Sequence, residues 1–236
     1  MSRLDNYLVE HGLCESRNRA QTLIKEGLVS VNNEQIIKSS FKLKQNDKVA
    51  VKEHKEYVSR AAFKLSTFLD ELTLDLKSKT ALDIGSSTGG FTQVLLERGA
   101  KEVTAVDVGR DQLHVSLKND ERVHSYEGCD IREFKSYKSF DIVVSDVAFI
   151  SLLYILDDVE RLAKDKIILL FKPQFEVGRE AKRDRNGVVT DEKAVVQAMV
   201  KFEDACSLKG WKLIQKSASK LTGKEGNLEY CYFYEK

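Results

Sequence analysis

The stretch ALDIGSSTGGFTQVLL, residues 81–96, decides how the rest of the chain is read. An apolar, strand-like opening runs into a turn rich in glycine and serine, then into a helix-like apolar segment. Many α/β proteins hold a nucleotide-like ligand on such a unit, because glycine lets the backbone turn sharply and lets a ligand approach closely. Gly85, Gly89 and Gly90 are spaced G-x-x-x-G-G, unlike the G-x-G-x-x-G of dinucleotide sites, and no phosphate-loop lysine accompanies them. A turn without phosphate equipment predicts a ligand without phosphates.

Working outward, the amphipathic helix SRAAFKLSTFLDEL precedes this unit, and EVTAVDVG, RVHSYEG, FDIVVSDVA and KIILLFKP follow as strands with helical stretches between most of them. Strands this apolar are expected to be buried on both faces, which with the alternating helices predicts a parallel sheet. EKAVVQAMVKFEDACSLKG reads as a long helix, and WKLIQKSASK with LEYCYFYEK as a terminal hairpin. Residues 60–236 are therefore expected to form a Rossmann-like α/β domain with an antiparallel addition.

Two acids at strand ends narrow the ligand. Asp107 closes VTAVD, where a carboxylate can accept both hydroxyls of a ribose, and Asp130 in GCDIRE can accept from an adenine amine. An aspartate in such a place is also a common helix cap. In combination with the glycine turn, however, the two predict S-adenosylmethionine. The candidate cofactor set is Gly85, Ser87, Gly89, Gly90, Phe91, Asp107, Val108, Asp130 and Ile131.

Residues 1–52 read as a separate small α+β domain. Leu4, Leu8 and Leu13 have helical spacing, Ser16 caps a second helix carrying Ala20, Leu23 and Ile24, and short strands flank an Asn-Asn-Glu turn. Residues 53–59 are polar enough to serve as a linker. Arg3, Arg17, Arg19 and Lys25 are expected on the exposed side of the two helices, with Arg60 just after the linker, as contacts to RNA phosphates. Ordinary solvated helix charges are the alternative.

Composition sets limits. With 38 Lys+Arg against 37 Asp+Glu the net charge is +1, so any basic surface is local. The four cysteines have no metal-ligand spacing, which predicts free thiols and no metal site. The longest apolar run, VAFISLLYIL, has about half the ~20 residues a membrane helix needs, so a soluble cytoplasmic protein without membrane contact is expected.

The methyl acceptor is approached by elimination. IVVSDVAF lacks the Asn/Asp-Pro-Pro-aromatic element of adenine-amine methyltransferases, and no Pro-Cys pair offers a nucleophile for base-carbon methylation. Ionisable residues remain near the strand ends: Lys64, Asp146, Lys172 and Glu229. A ribose 2′-hydroxyl needs a base and in-line geometry, which two lysines and two acids can supply. Taken alone, Lys64 and Glu229 read as solvated salt-bridge formers. Lys172 does not, because it sits between the apolar run IILLF and the single proline.

At VSRAAFKL, LDIGSSTGGFT, SDVAF, LFKPQFE and GNLEY the chain resembles the TlyA family, relatives of the FtsJ-type ribose methyltransferases, and its first fifty residues look like the S4 RNA-binding domain of that family. The resemblance covers essentially the whole chain. It implies a catalytic tetrad of Lys64, Asp146, Lys172 and Glu229, with Lys172 as the base. It also implies 2′-O-methylation of a cytidine in ribosomal RNA. The likeness is to shorter members, expected to act on large-subunit (23S) RNA at helix 69, at the subunit interface, with no obligate protein partner. Tyr57 stands at a linker position that is tryptophan in some members. The rival readings are a non-catalytic RNA-binding assembly factor, a membrane-active haemolysin and a small-molecule methyltransferase.

Overall fold

The computed structural model describes residues 2–25, 27–52 and 57–236, and the chain divides into two compact units, residues 1–56 and 57–236. Residues 53–56 of the expected linker lie outside the described residues. Residues 57–59, its remainder, belong to the second unit: the Tyr57 hydroxyl donates to Ser66 Oγ at 2.9 Å and the Val58 N–H to Gln93 Oε1 at 2.8 Å.

In the first unit, helices α1 (Leu4–Glu10) and α2 (Arg17–Lys25) pack together beside an antiparallel sheet of β1 (Val29–Val31), β2 (Glu34–Gln35) and β3 (Val49–Val51), in the order β2-β1-β3. Asn32 and Asn33 both have positive φ, +53° and +68°, which asparagine tolerates and which a tight turn between β1 and β2 requires. The core is small: Leu4, Leu8, Ala20, Leu23, Ile24, Val29, Val31 and Leu43. Beside it Asp5 is fully buried, and its carboxylate accepts from the Arg3 guanidinium, Arg17 Nε and the Gln21 amide. The Arg3 hydrogen bonds, ahead of the others, hold the Asp5 carboxyl well below the usual carboxylate range.

The second unit is built on α3 (Ala61–Leu69), β4 (Thr80–Ile84), α4 (Gly90–Glu97), β5 (Glu102–Asp107), α5 (Val115–Lys118), β6 (Val123–Glu127) and β7 (Phe140–Ser145). It continues with α6 (Leu156–Leu162), β8 (Ala163–Phe171), α7 (Pro173–Glu176), α8 (Glu192–Leu208), β9 (Lys212–Ala218) and β10 (Tyr230–Glu235). The sheet runs β6-β5-β4-β7-β8-β10-β9, with β4 to β8 parallel and β10 antiparallel to both of its neighbours.

Period-two alternation feeds two cores, one on each face. Leu82, Ile84, Val143, Ile167, Leu169 and Phe171 meet α6 and α8, while Ala81, Ile142, Val144, Ile168 and Leu170 meet α3 and α4. The expectation of burial on both faces fails at β6, whose middle residues are exposed because it is an edge strand. The terminal hairpin is present, but its last strand sits inside the sheet. YCYFY is buried on both faces and needs neighbours, whereas β9, with Lys212 and Lys216, supplies a charged edge.

Gly90 opens α4, where a Cβ would lie 2.2 Å from Ser59 Oγ and 2.9 Å from the Ala62 backbone nitrogen. Two helix starts can approach this closely only without a side chain. Gly90→Ala is expected to lower the unfolding free energy by about 1–3 kcal/mol in urea denaturation. Gly178→Ala, which meets nothing within 4 Å, is expected to be neutral within about 0.5 kcal/mol. Equal stabilities for the two variants would contradict the packing account.

Candidate active site

Strand order reverses between β4 and β7, where the loops leaving the sheet's carboxyl end part company. A cavity of about 360 Å³ lies there, within the size range of small-ligand sites. Gly85 and Ser87 line it from the turn after β4, Asp107 and Val108 from the end of β5, and Asp130 and Ile131 from the segment after β6. Residues 146–150 close it after β7. Gly85 has φ +79°, and a Cβ there would press to 3.1 Å on the backbone of Val147, which lines the same cavity. The Asp107 carboxylate accepts from the Ser87 N–H at 2.8 Å and from the Gly109 N–H at 2.7 Å, fixing the glycine turn to the neighbouring loop. Each oxygen keeps acceptor capacity for a ligand.

Beside the cavity, two lysines and two carboxylates are buried as pairs. Lys64, 8% exposed, comes from α3 and lies 2.5 Å from Glu229, 2% exposed, which immediately precedes β10. The Gln174 amide donates to the other oxygen of Glu229 at 3.1 Å. Lys172 and Asp146 follow the adjacent parallel strands β8 and β7, and their ion pair closes at 2.5 Å. Lys172 also donates to the Asp146 carbonyl at 3.3 Å, so one side chain holds both the carboxylate and the backbone of that residue. Burial pushes the Asp146 carboxyl above its ordinary range, against the opposing charges of Lys172 and Lys64. The field of Lys64 at Asp146 makes the two pairs one group of four, and Asp146 also lines the cavity. A methyl donor in the cavity and an acceptor at the lysines would thus meet at one residue.

Comparison with known proteins agrees with this geometry. Residues 57–236 match the FtsJ-like methyltransferase family model, and residues 2–49 match the S4 domain. The chain is 44% identical over 250 residues to the 23S rRNA (cytidine-2′-O)-methyltransferase TlyA of Campylobacter jejuni, covering 98% of each. The chain belongs to the TlyA family. Its likeness to the 16S/23S rRNA (cytidine-2′-O)-methyltransferase TlyA of Mycobacterium tuberculosis is 36% identity, over 97% of this chain and 88% of that one. A solved Streptococcus thermophilus structure that carries the hemolysin name superposes with a TM-score of 0.74 at 34% identity, covering 100% of this chain and 88% of that one.

In this TlyA-family chain most of the expected cofactor set converges, but three members do not. Gly89, Gly90 and Phe91 do not line the cavity. Gly89 packs against Leu113 and Leu117, Gly90 serves the contact of α3 with α4, and Phe91 is 3% exposed within the core. Asp130 lines the cavity, yet its carboxylate is held by the Arg132 backbone N–H and, in two contacts, by the Arg132 guanidinium. The solvated reading of Lys64 and Glu229 is overturned by their burial.

Among the expected phosphate contacts, Arg3 and Arg17 share Asp5, Arg19 is half-buried and Lys25 is exposed, while Arg60, in the second unit, donates to the Thr222 carbonyl of that same unit. Sequence reasoning missed Gln112 and residues 147–150 of the cavity wall. Phe149 is 92% exposed with φ +66°, beside Phe175 at 5.2 Å. The motifs SDVAF and LFKPQFE contain residues 147–149 and Phe175, but only the sheet order makes them neighbours. Among the described residues no helix is long and apolar enough to cross a membrane, and no three His, Cys, Asp or Glu side chains are grouped to hold a metal.

Beneath the cavity Asp83 is fully buried on β4. Its Oδ2 accepts from the Thr92 hydroxyl at 2.7 Å and N–H at 2.9 Å, and its Oδ1 has no partner. Burial, with smaller contributions from Asp146 and Asp107, pushes its carboxyl up to about 7. The folded state thus keeps a proton that the unfolded chain releases near 3.8. Stability from this group is present at low pH and lost as pH rises toward 7. Asp83→Asn, which can keep the Thr92 bonds, is expected to gain on the parent in urea denaturation between pH 4 and 7, by up to roughly 4 kcal/mol. A stability difference constant across that range would contradict the buried neutral acid.

Proposed function

We propose that this chain transfers a methyl group from S-adenosylmethionine to the 2′-oxygen of a cytidine ribose in ribosomal RNA, with large-subunit RNA at helix 69 as the substrate in the cytosol. The observation that carries this reading is the double role of Asp146, which lines the cavity and pairs with Lys172. Two features of the site fit the cofactor: the Gly85 turn, which a side chain would close, and the Asp107 carboxylate, whose oxygens keep acceptor capacity. The names of the Campylobacter and Mycobacterium relatives support the acceptor.

The bound cofactor supplies an electrophilic methyl group on a positively charged sulfonium. Everything else falls to the protein. Lys172, once its own ammonium proton has passed to solvent, takes the proton of the 2′-hydroxyl as a neutral amine, since that oxygen is a poor nucleophile until relieved of it. Asp146 Oδ1 holds the lysine amine in place. Lys64 and Glu229 form the second pair, whose positive end acts on Asp146 and whose acid is fixed by Gln174. The surrounding burial excludes water and strengthens the attraction between these charges. The S4 unit holds RNA phosphates through Arg19 and Lys25, with Arg3 and Arg17 presented by Asp5 and Arg60 added from the catalytic unit. Such contacts give affinity and orientation but no sequence reading. The reactive nucleotide is exposed or flipped from a folded RNA recognised mainly by shape.

The test is transfer of radiolabelled methyl to purified large subunits, small subunits and free ribosomal RNA, with Lys172→Met in parallel. Label is expected in large-subunit RNA at one alkali-resistant cytidine, and the variant should lose about 10²–10⁴-fold in rate. Cofactor binding without label on any RNA would overturn the reading in favour of a non-catalytic assembly factor. A Lys172→Met enzyme of undiminished rate would remove Lys172 as the base.

A further inference from the structure

Glu176 is an acid that the proposed chemistry does not use. It ends α7, one turn beyond Lys172, and burial pushes its carboxyl above the ordinary range. Both oxygens point across to the segment that follows β7. Oε2 accepts from the Ser151 hydroxyl at 2.5 Å, and Oε1 accepts from the Leu152 backbone N–H at 2.8 Å. Ser151 Oγ in turn accepts from the Leu153 N–H at 3.2 Å, which closes the first turn of the short 3-10 helix Leu152–Tyr154. The side chain of Leu152, 1% exposed, is rooted in the core.

The segments after β7 and β8 are therefore tied at three successive points. Lys172 meets Asp146, Phe175 meets Phe149, and Glu176 meets Ser151 and Leu152. Between the outer ties lie residues 147–150, all of which line the cavity. Phe149 at φ +66° occupies a backbone region that costs a bulky residue about 1–3 kcal/mol and persists only where its surroundings enforce it. Its exposed ring brings no compensating burial of its own. The enforcement comes from its neighbours: Val147 and Ile150 pack on the core, Phe175 lies beside the ring, and Glu176 ties the far end.

We infer that Glu176 is a positioning residue, whose carboxylate fastens Ser151 and Leu152 so that residues 147–150 keep the shape of the cavity wall and Asp146 stays opposite Lys172. The clamp acts through geometry, since its two partners are a hydroxyl and a backbone amide rather than a cation. This rests on the methyltransferase reading of the cavity, but only its rate measurement needs an RNA substrate.

The experiment uses the full chain with Glu176→Ala, Glu176→Gln, Ser151→Ala and the double variant Glu176→Ala/Ser151→Ala. S-adenosylmethionine affinity is measured by equilibrium dialysis, and kcat and KM for RNA by methyl transfer. Glu176→Ala is expected to weaken cofactor binding by about tenfold, the worth of one to two hydrogen bonds, and to lower kcat while KM for RNA stays constant. Glu176→Gln should restore most of both, because the amide can accept from Leu152 and donate to Ser151. The double variant should be little worse than Glu176→Ala, since the two residues act as one unit.

Parental affinity and kcat in Glu176→Ala, losses that add in the double variant, or a Gln variant as impaired as the Ala variant would each overturn the assignment. Should Glu176→Ala fail to fold, Ser151→Ala removes one of the two bonds to Glu176, along with the cap on Leu153, and is expected to show the same split at about threefold; parental values there overturn it. Loss of cofactor affinity in the variants, together with a parent that labels no RNA, would keep the clamp and reject the ribosomal RNA substrate.

Discussion

Burying two ammonium groups and two carboxylates at the carboxyl end of a sheet is the constraint around which the catalytic unit is arranged. Removing such charges from water costs several kcal/mol each, and mutual attraction offsets this only when the partners are placed well. Here the placement is done by elements far apart in sequence. Lys64 rides on α3, Asp146 and Lys172 end adjacent parallel strands, and Glu229 enters from the segment before the last strand. Each lysine reaches one carboxylate at 2.5 Å, so the group carries no net charge. Apolar residues of similar size would serve the fold at least as well, which points to chemistry as the reason for retaining the ions.

The sheet order follows from the same need. Reversal between β4 and β7 opens a crevice, and the glycine turn after β4 forms one wall of it. The segment after β7 forms the opposite wall and begins with Asp146. The insertion of β10 beside β8 brings Glu229 to the carboxyl end of β8, near Gln174 and within reach of Lys64. An apolar last strand, YCYFY, makes that insertion favourable, because each residue buries its side chain against a helix-covered face. A feature that reads as ordinary core packing is thus what completes the buried group of four.

The alternation of apolar strands and helices, the glycine turn and the aspartates at strand ends were legible in the sequence, since each is a local pattern with a local cause. Lys172 was legible for the same reason, with IILLF before it and proline after it. Lys64 and Glu229 were not legible from their own surroundings. AAFKLS reads as a helix with one solvated lysine, and LEYCYFYEK as a hairpin strand with a solvated glutamate near its start, until tertiary contact buries both. Family resemblance supplied what local chemistry could not. Phe91 misled in the opposite sense: it follows the glycine turn in sequence, but the helical rotation over one residue directs it into the core. Arg3 and Arg17 looked like a free phosphate patch because Asp5, between them in the chain, turns inward and draws both guanidiniums to itself. Glu176 stood in a quoted motif without a role, and only the pairing of β7 with β8 shows what it holds.

The most direct test of the central claim replaces the Lys64–Glu229 pair as a unit, with Lys64→Met and Glu229→Leu together, and compares urea unfolding with single-turnover methyl transfer. If the pair is kept for catalysis, the double variant matches the parent in stability or exceeds it by about 1–4 kcal/mol, while the transfer rate falls by about 100-fold or more. A variant that loses stability but transfers methyl at the parental rate would show that the pair serves the fold, and would contradict the account.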